Sequence, residues 1–426
     1  RRLNSSAPAG GQGNTEALLK TILAPDGPAG FCVHLGCGEG ALTAELARSE
    51  RLVVHALEAD STKAGRAREL LQARGLYGRA AVEAWAEPFL PYADNLVNVL
   101  VADQPGLVTD AEMLRVLAPL GTLWIRRDGV WQSRQKPWPK EFDEWTHARH
   151  GADGNMVSRD TAVQTPTGLR WIAGPPQDAG GRRWYYDHVL VSSAGRSFYQ
   201  FDDAIVARDA FNGRLLWRRE AKAYTFKESG TKSGLKVGTR TSKVRPVAAG
   251  NRLYAAIDGK MAALDVADGQ TVQELAEIEN PREIAVVDSQ LLLSDQSGLR
   301  AFTLEGKLLW RHDEFARRMV AGDGKALFLN TNKLVGLDLK TGKELWRAEH
   351  PKAVEAVTCS YYGGVLVIER SSWRDDGVGS GVVAFSSDTG ELLWEKEYTP
   401  GMTHYKESRA FFAEGLVWLE VETALK

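Results

Sequence analysis

Two stretches of this chain hold residues whose types and spacing could do chemistry. The first is Gly36-Cys37-Gly38-Glu39-Gly40, set between an apolar run, Phe31–Leu35, and a helix-forming run, Ala41–Arg48. Glycines at a strand-to-helix turn let backbone N–H groups approach a nucleotide cofactor. Glu58 closes the next strand-like run, Leu52–Leu57. An acid about twenty positions past such glycines is placed to bind ribose hydroxyls. The candidate cofactor residues are therefore Gly36, Gly38, Gly40 and Glu58. The second stretch is Phe142–Arg159, where His147, His150 and Asp153 recur at three-residue spacing. Such a trio can share a face and bind a metal. The competing expectation, adopted here, is that these groups cap turns while Trp145 anchors the first strand that follows. No metal ligand is assigned.

The first stretch needs a scaffold of alternating strands and helices. Thr15–Leu23 reads as a helix with Asn14 as N-cap, after a Gly-, Ser-, Ala- and Pro-rich lead-in, Arg1–Asn14. Ser61–Arg74 and Ala111–Leu117 read as helices, and Ala80–Ala84, Leu96–Ala102 and Gly121–Arg126 as strands. This βαβ order predicts a parallel, doubly wound sheet. Val130-Trp131 then leads into Pro137-Trp138-Pro139, which has linker chemistry.

The second stretch precedes a repeat. Gly336–Trp346 reads G-L-D-L-K-T-G-K-E-L-W, a hairpin whose Gly342 can take the positive φ its turn needs. Related segments are Ala207–Trp217, Ala263–Val272 (without the tryptophan), Ala301–Trp310 (one residue short) and Ala384–Trp394. The turn glycines Gly213, Gly269, Gly306, Gly342 and Gly390 are spaced by 56, 37, 36 and 48 residues. A period of roughly 40 residues with short strands fits one four-stranded propeller blade. Leu169–Ile172, Tyr185–Ser192 and Arg196–Phe201 are the expected strands of the first blade. Phe411–Leu425 is expected to open a sixth. Further blades are expected, in the same polypeptide or a companion fragment, because an open ring exposes sheet edges. The longest spacing holds an insertion, Lys222–Arg245, with seven basic residues and one acid, Glu228. It could meet an anionic glycan, a phosphate or an acidic partner, or be a solvated loop.

Both halves resemble known families. V-H-L-G-C-G-E-G, Glu58, the segment Leu90–Asn95 and the turn Arg115–Gly121 resemble, in order, the motifs of class I S-adenosylmethionine-dependent methyltransferases. The resemblance implies a Rossmann-like domain over 15–127, S-adenosylmethionine as cofactor, and an adenine-side acid for which Glu87 is the nearest candidate. The chain departs from that family at His34, where the acid facing the methionine end is expected, and at Asn98, where another acid is expected. Three readings stay open: a working methyltransferase, a domain that binds the cofactor without turnover, and a scaffold kept for packing. The repeats resemble the pyrroloquinoline-quinone-type propeller repeat with its tryptophan-docking motif, over 143–426 after a linker at 128–142. That repeat occurs in quinone enzymes and in non-enzymatic outer-membrane assembly proteins. No residue set here matches the quinone and calcium site, so that cofactor is not expected. The resemblance implies export or a periplasmic location, and a protein or glycan partner on the propeller.

Composition sets outer bounds. A chain of 426 residues is long enough for two or more domains. A net charge of −2 argues against a nucleic-acid surface. No run of apolar residues is long enough to span a membrane. Three cysteines, Cys32, Cys37 and Cys359, imply no disulfide framework.

Overall fold

The structure, a computed structural model, describes residues 12–165, 168–172, 189–201, 203–232, 235–275, 278, 280–351, 353, 356–370, 380–398 and 410–419. Residues 1–11 of the expected lead-in, 185–188 of an expected strand and 420–425 of the expected sixth blade lie outside that set. So do the side chains of Lys227, Glu228, Lys232, Lys236, Arg240 and Lys243 in the basic insertion.

The N-terminal third is one mixed sheet with helices on both faces. Its elements are β1 (Gln12–Gly13), α1 (Thr15–Ile22), β2 (Gly30–Leu35), α2 (Ala41–Leu46), β3 (Leu52–Glu58), α3 (Ser61–Ala73), β4 (Ala80–Ala84), β5 (Val97–Ala102), α4 (Asp110–Val116), β6 (Leu117–Arg127) and β7 (Val130–Gln135). The strand order is β1-β7-β6-β5-β2-β3-β4. The five strands from β6 to β4 run parallel, which is the doubly wound, methyltransferase-type arrangement expected. Sequence dictates the helix starts: Asn14 Oδ1 accepts from Ala17 N, Asp60 Oδ1 from Thr62 N, and Thr109 Oγ1 from Glu112 N. Arg115 joins two motif segments by donating to the Leu90 and Tyr92 carbonyls and to Asp94.

The linker expectation needs correction. Val130–Gln135 pairs antiparallel with β6, and Gln12–Gly13 of the lead-in pairs with β7. Trp131, alternating inward, is 1% exposed and packs in the sheet core, which linker chemistry would not allow. Beyond the strand, Lys136 Nζ donates to Asn95 Oδ1 and to the Leu114 and Leu117 carbonyls. Trp138 and Phe142 then pack on Phe211 of the first propeller sheet.

The rest is a multi-blade β-propeller. Among the described residues five antiparallel four-stranded sheets follow in chain order, with innermost strands Val189–Ser193, Val247–Ala249, Glu283–Val287, Arg318–Gly322 and Ala356–Tyr362. A strand pair, Phe411–Ala413 with Leu416–Trp418, opens a sixth. Four large apolar clusters are each shared by two consecutive sheets, so stacking rather than any single hairpin makes most of the core. The basic insertion is a separate two-stranded hairpin, Thr225–Lys232 with Leu235–Lys243.

The repeat glycines and tryptophans meet across neighbouring blades. A Cβ on Gly269 would lie 2.7 Å from the Trp217 ring, one on Gly342 2.5 Å from Trp310, and one on Gly390 2.4 Å from Trp346. Each indole also donates Nε1–H to the facing blade, to the carbonyls of Val266 (2.9 Å), Leu339 (2.8 Å) and Ser387 (2.7 Å). The repeat lacking a tryptophan carries Gln273 in that place, and Gln273 Nε2 donates to the Glu305 carbonyl at 2.8 Å. The facing turn is the shortened one, which leaves room for an amide rather than an indole. Leu169–Ile172 is not a strand of the first blade. Instead Trp171 covers Gly213 and donates to the Ala210 carbonyl, as the other indoles do for their neighbours.

Candidate functional site

The glycine loop forms at the β2–α2 turn, with Gly36, Gly38 and Gly40 all at positive φ. Gly36 abuts the backbone of Gln104, where a Cβ would meet the carbonyl oxygen at 2.2 Å. Glu58 is brought to this loop as expected, and is 7% exposed. Its Oε2 accepts from Gly38 N at 2.6 Å and its Oε1 from Asp60 N at 3.0 Å. Glu87 lies exposed in the segment after β4. The helix after the loop, expected over 41–48, is only Ala41–Leu46, too short to add much dipole at its start. Burial pushes the Cys37 thiol up to about 12, with the Glu58 charge adding to it, so Cys37 is a packing residue rather than a nucleophile.

The two departures from the family pattern have physical roles. His34 is fully buried, and its Nδ1 shares a 2.8 Å hydrogen bond with Thr43 Oγ1. Burial lowers its pKa to about 4 against the opposing pull of Asp103, so the ring is neutral at physiological pH. Its Nε2 has no partner. Asn98 faces away from the loop toward the propeller. Its Nδ2 donates to Asp209 Oδ2 at 2.6 Å, and its Oδ1 accepts from Phe31 N and from Asn212 Nδ2. Asn212 also donates to the Leu96 carbonyl. Asp209 is the turn aspartate of the first repeat, and burial raises its pKa against the bonds from Asn212 N, Asn98 and Phe211 N. An acid at position 98 would set two carboxylates against each other.

For S-adenosylmethionine the fit is therefore divided. Gly36, Gly38, Gly40 and Glu58 lie together at the β2–α2 turn, with both Glu58 carboxylate oxygens accepting from backbone N–H groups. The methionine end meets a neutral imidazole where a carboxylate would hold the ammonium.

The second stretch forms a hub on the propeller axis. Residues 145–155 meet the innermost strands in the order in which the blades follow along the chain. The Trp145 carbonyl accepts from Ser192 N, that of Thr146 from Ala248 N, and His147 Nε2 from Val286 N. The carbonyls of Ala152 and Asp153 accept from Ala321 N and Tyr361 N, and Asn155 exchanges two bonds with Phe412. Burial, with the His150 charge adding to it, lowers the pKa of His147 to about 3, which suits an acceptor role. His150 Nε2 lies 2.6 Å from Asp143 Oδ2. Among the described residues no three His, Cys, Asp or Glu side chains converge as a metal set. Of the three, Asp153 caps a turn through Asn155 N, whereas His147 holds the third blade's inner strand and His150 pairs with Asp143. The hub was only half legible, because each of its bonds joins residues tens to hundreds of positions apart.

Comparison with known proteins decides the family. The family described as outer membrane protein assembly factor BamB matches residues 151–304 and 295–420, well over half the chain. The chain belongs to the BamB family. BamB from Moraxella catarrhalis is 18% identical over 48% of this chain and 60% of its own, with a TM-score of 0.36. For the N-terminal third, an S-adenosylmethionine-dependent methyltransferase of Methanococcus maripaludis is 22% identical over 26% of this chain and 52% of its own, with a TM-score of 0.24. One from Aquifex aeolicus is 22% identical over 29% and 69%, with a TM-score of 0.23. The chain thus spans about 60% of that BamB and about half of the Methanococcus protein. No curated protein matches the chain. The fold itself rests on the strand orders given above.

Proposed function

We propose that this BamB-family chain is a non-enzymatic, exported interaction protein. Its propeller is the working surface for a protein partner, and its methyltransferase-type domain is a rigid element docked on the first blade. The observation that carries this reading is Asn98, whose amide, at a position where the resembling family has an acid, is committed to Asp209 of the propeller. Neutral, buried His34 supports it from the cofactor side. A periplasmic location belongs to the same proposal.

A second reading has one specific observation in its favour: Glu58 accepts from Gly38 N within the glycine loop, which supports a cofactor contact on the ribose side. On that reading Gly36, Gly38, Gly40 and Glu58 would hold S-adenosylmethionine, which when bound supplies an electrophilic methyl group. Calorimetric titration with S-adenosylhomocysteine separates the two. The first reading expects no heat and no thermal shift at millimolar ligand. Saturable heat that disappears in Glu58→Ala would establish the second.

A further inference from the structure

The seams between the complete blades are covered, and the one after the fifth blade is not. Trp217, Trp310 and Trp346 are 8%, 7% and 8% exposed. Each lies under the turn between the third and fourth strands of the next blade. The turn glycine touches the ring and a turn carbonyl takes the indole N–H. Trp394 holds the same place in the fifth blade, yet it is 39% exposed. Its Nε1 has no acceptor among the described residues.

The neighbouring strand pair gives an independent sign. Among the described residues Leu416–Trp418 pairs only with Phe411–Ala413, whereas the second strand of each complete blade is paired on both sides. Leu291, Leu293, Leu327 and Leu329, in two of those second strands, are fully buried. Leu416 and Trp418 are 60% and 47% exposed. An open strand edge beside a half-covered indole is a place where an added strand gains both main-chain bonds and apolar contact.

The finished seams show what fits such a place. In the fourth blade one hairpin meets both features at once. Its first strand, Lys333–Asp338, pairs with the second strand of the blade, Lys325–Asn330. Its turn glycine, Gly342 at positive φ, lies on Trp310 of the blade before. Asp338 and Thr341 hold that turn through a 2.6 Å side-chain hydrogen bond.

We propose that Trp394 and the outer edge of Leu416–Trp418 form a docking surface for a partner polypeptide that presents a hairpin of this type. The hairpin brings an apolar strand to the edge, a turn glycine to the indole face and a turn carbonyl to the indole N–H. This rests on the reading of the propeller as a protein-binding surface and gives the partner its chemistry.

The test is fluorescence anisotropy of a labelled peptide of residues 333–349, titrated with the full chain. Saturable binding of one peptide per chain is expected. Trp394→Ala should weaken it by roughly tenfold or more. Trp394→Phe keeps a ring but loses the N–H donor, and should weaken it less. A peptide carrying Gly342→Val should not bind, because its φ is +71° and a Cβ there would strike the indole. Tyr77→Ala removes an exposed ring of the N-terminal domain and should leave binding unchanged. No saturable binding overturns the proposal. So does equal binding of the Gly342→Val peptide, which would be unspecific apolar adhesion. A dimer of the chain that Trp394→Ala dissolves also overturns it, since a second copy would then hold the surface. The S-adenosylhomocysteine titration is indifferent to Trp394, so the two proposals fail separately.

Discussion

The propeller and the methyltransferase-type domain respond to lost motif residues in opposite ways. In the propeller a missing tryptophan is replaced by a residue with the same job: Gln273 still reaches across the seam to the Glu305 carbonyl. In the N-terminal domain the replaced acids acquire other jobs. Position 98 holds the first blade, and position 34 is a neutral, buried partner of Thr43. A repeat must satisfy its neighbour at every seam, so its contacts are kept by substitution. A cofactor loop has no such neighbour, and on the proposed reading its charges are free to serve packing.

The largest effect expected is from Trp346→Ala, which empties a seam and frees the Ser387 carbonyl. A loss of about 3–5 kcal/mol in chemical unfolding is expected. A loss below about 1 kcal/mol would mean the seams are not what holds the blades.

Acid should act on both regions. His34 and His147 are held neutral by burial, with folded pKa values near 4 and 3. The unfolded chain takes up protons near pH 6.5 while the folded chain does not, so stability is present above that pH and is lost as pH falls. By pH 4 each histidine should have removed about 3 kcal/mol. Thermal unfolding between pH 7 and 4 in His34→Gln and His147→Gln should show a flatter profile than the parent. An unchanged profile would contradict the neutral assignment.

Asn98→Asp sharpens the comparison directly, because it restores the family's acid and sets it against Asp209. About 2 kcal/mol of coupling between the halves should be lost, read as two separate thermal transitions. A single unchanged transition would remove position 98 from the interface. The smallest effect is Gln273→Ala, which gives up one neutral hydrogen bond worth about 1 kcal/mol. No loss at all would leave that seam to apolar stacking alone.

Much of the fold was legible because it is periodic. Apolar runs gave β2, β3 and β5, the Asn14 cap gave the start of α1, and the turn glycines gave the blades. Glu58 was legible because its distance from the glycines is set by one strand–helix–strand unit. β7 was obscured because Pro137-Trp138-Pro139 dominated the reading of a short alternating strand just before it. Gln273 was missed as a seam residue because its type differs, although its place four residues after Gly269 marks it. Asn98 could be seen as a departure but not explained, since its partner lies 111 positions away.

The hub precedes every described blade and touches them in the order of their translation. Synthesis runs from the N-terminus, so each innermost strand would find its docking group already made as it leaves the ribosome. A ring whose last described contact joins Asn155 to Phe412 could in this way be gathered vectorially. It would not need to search for closure after release, which ring topologies with distant pairings otherwise do slowly.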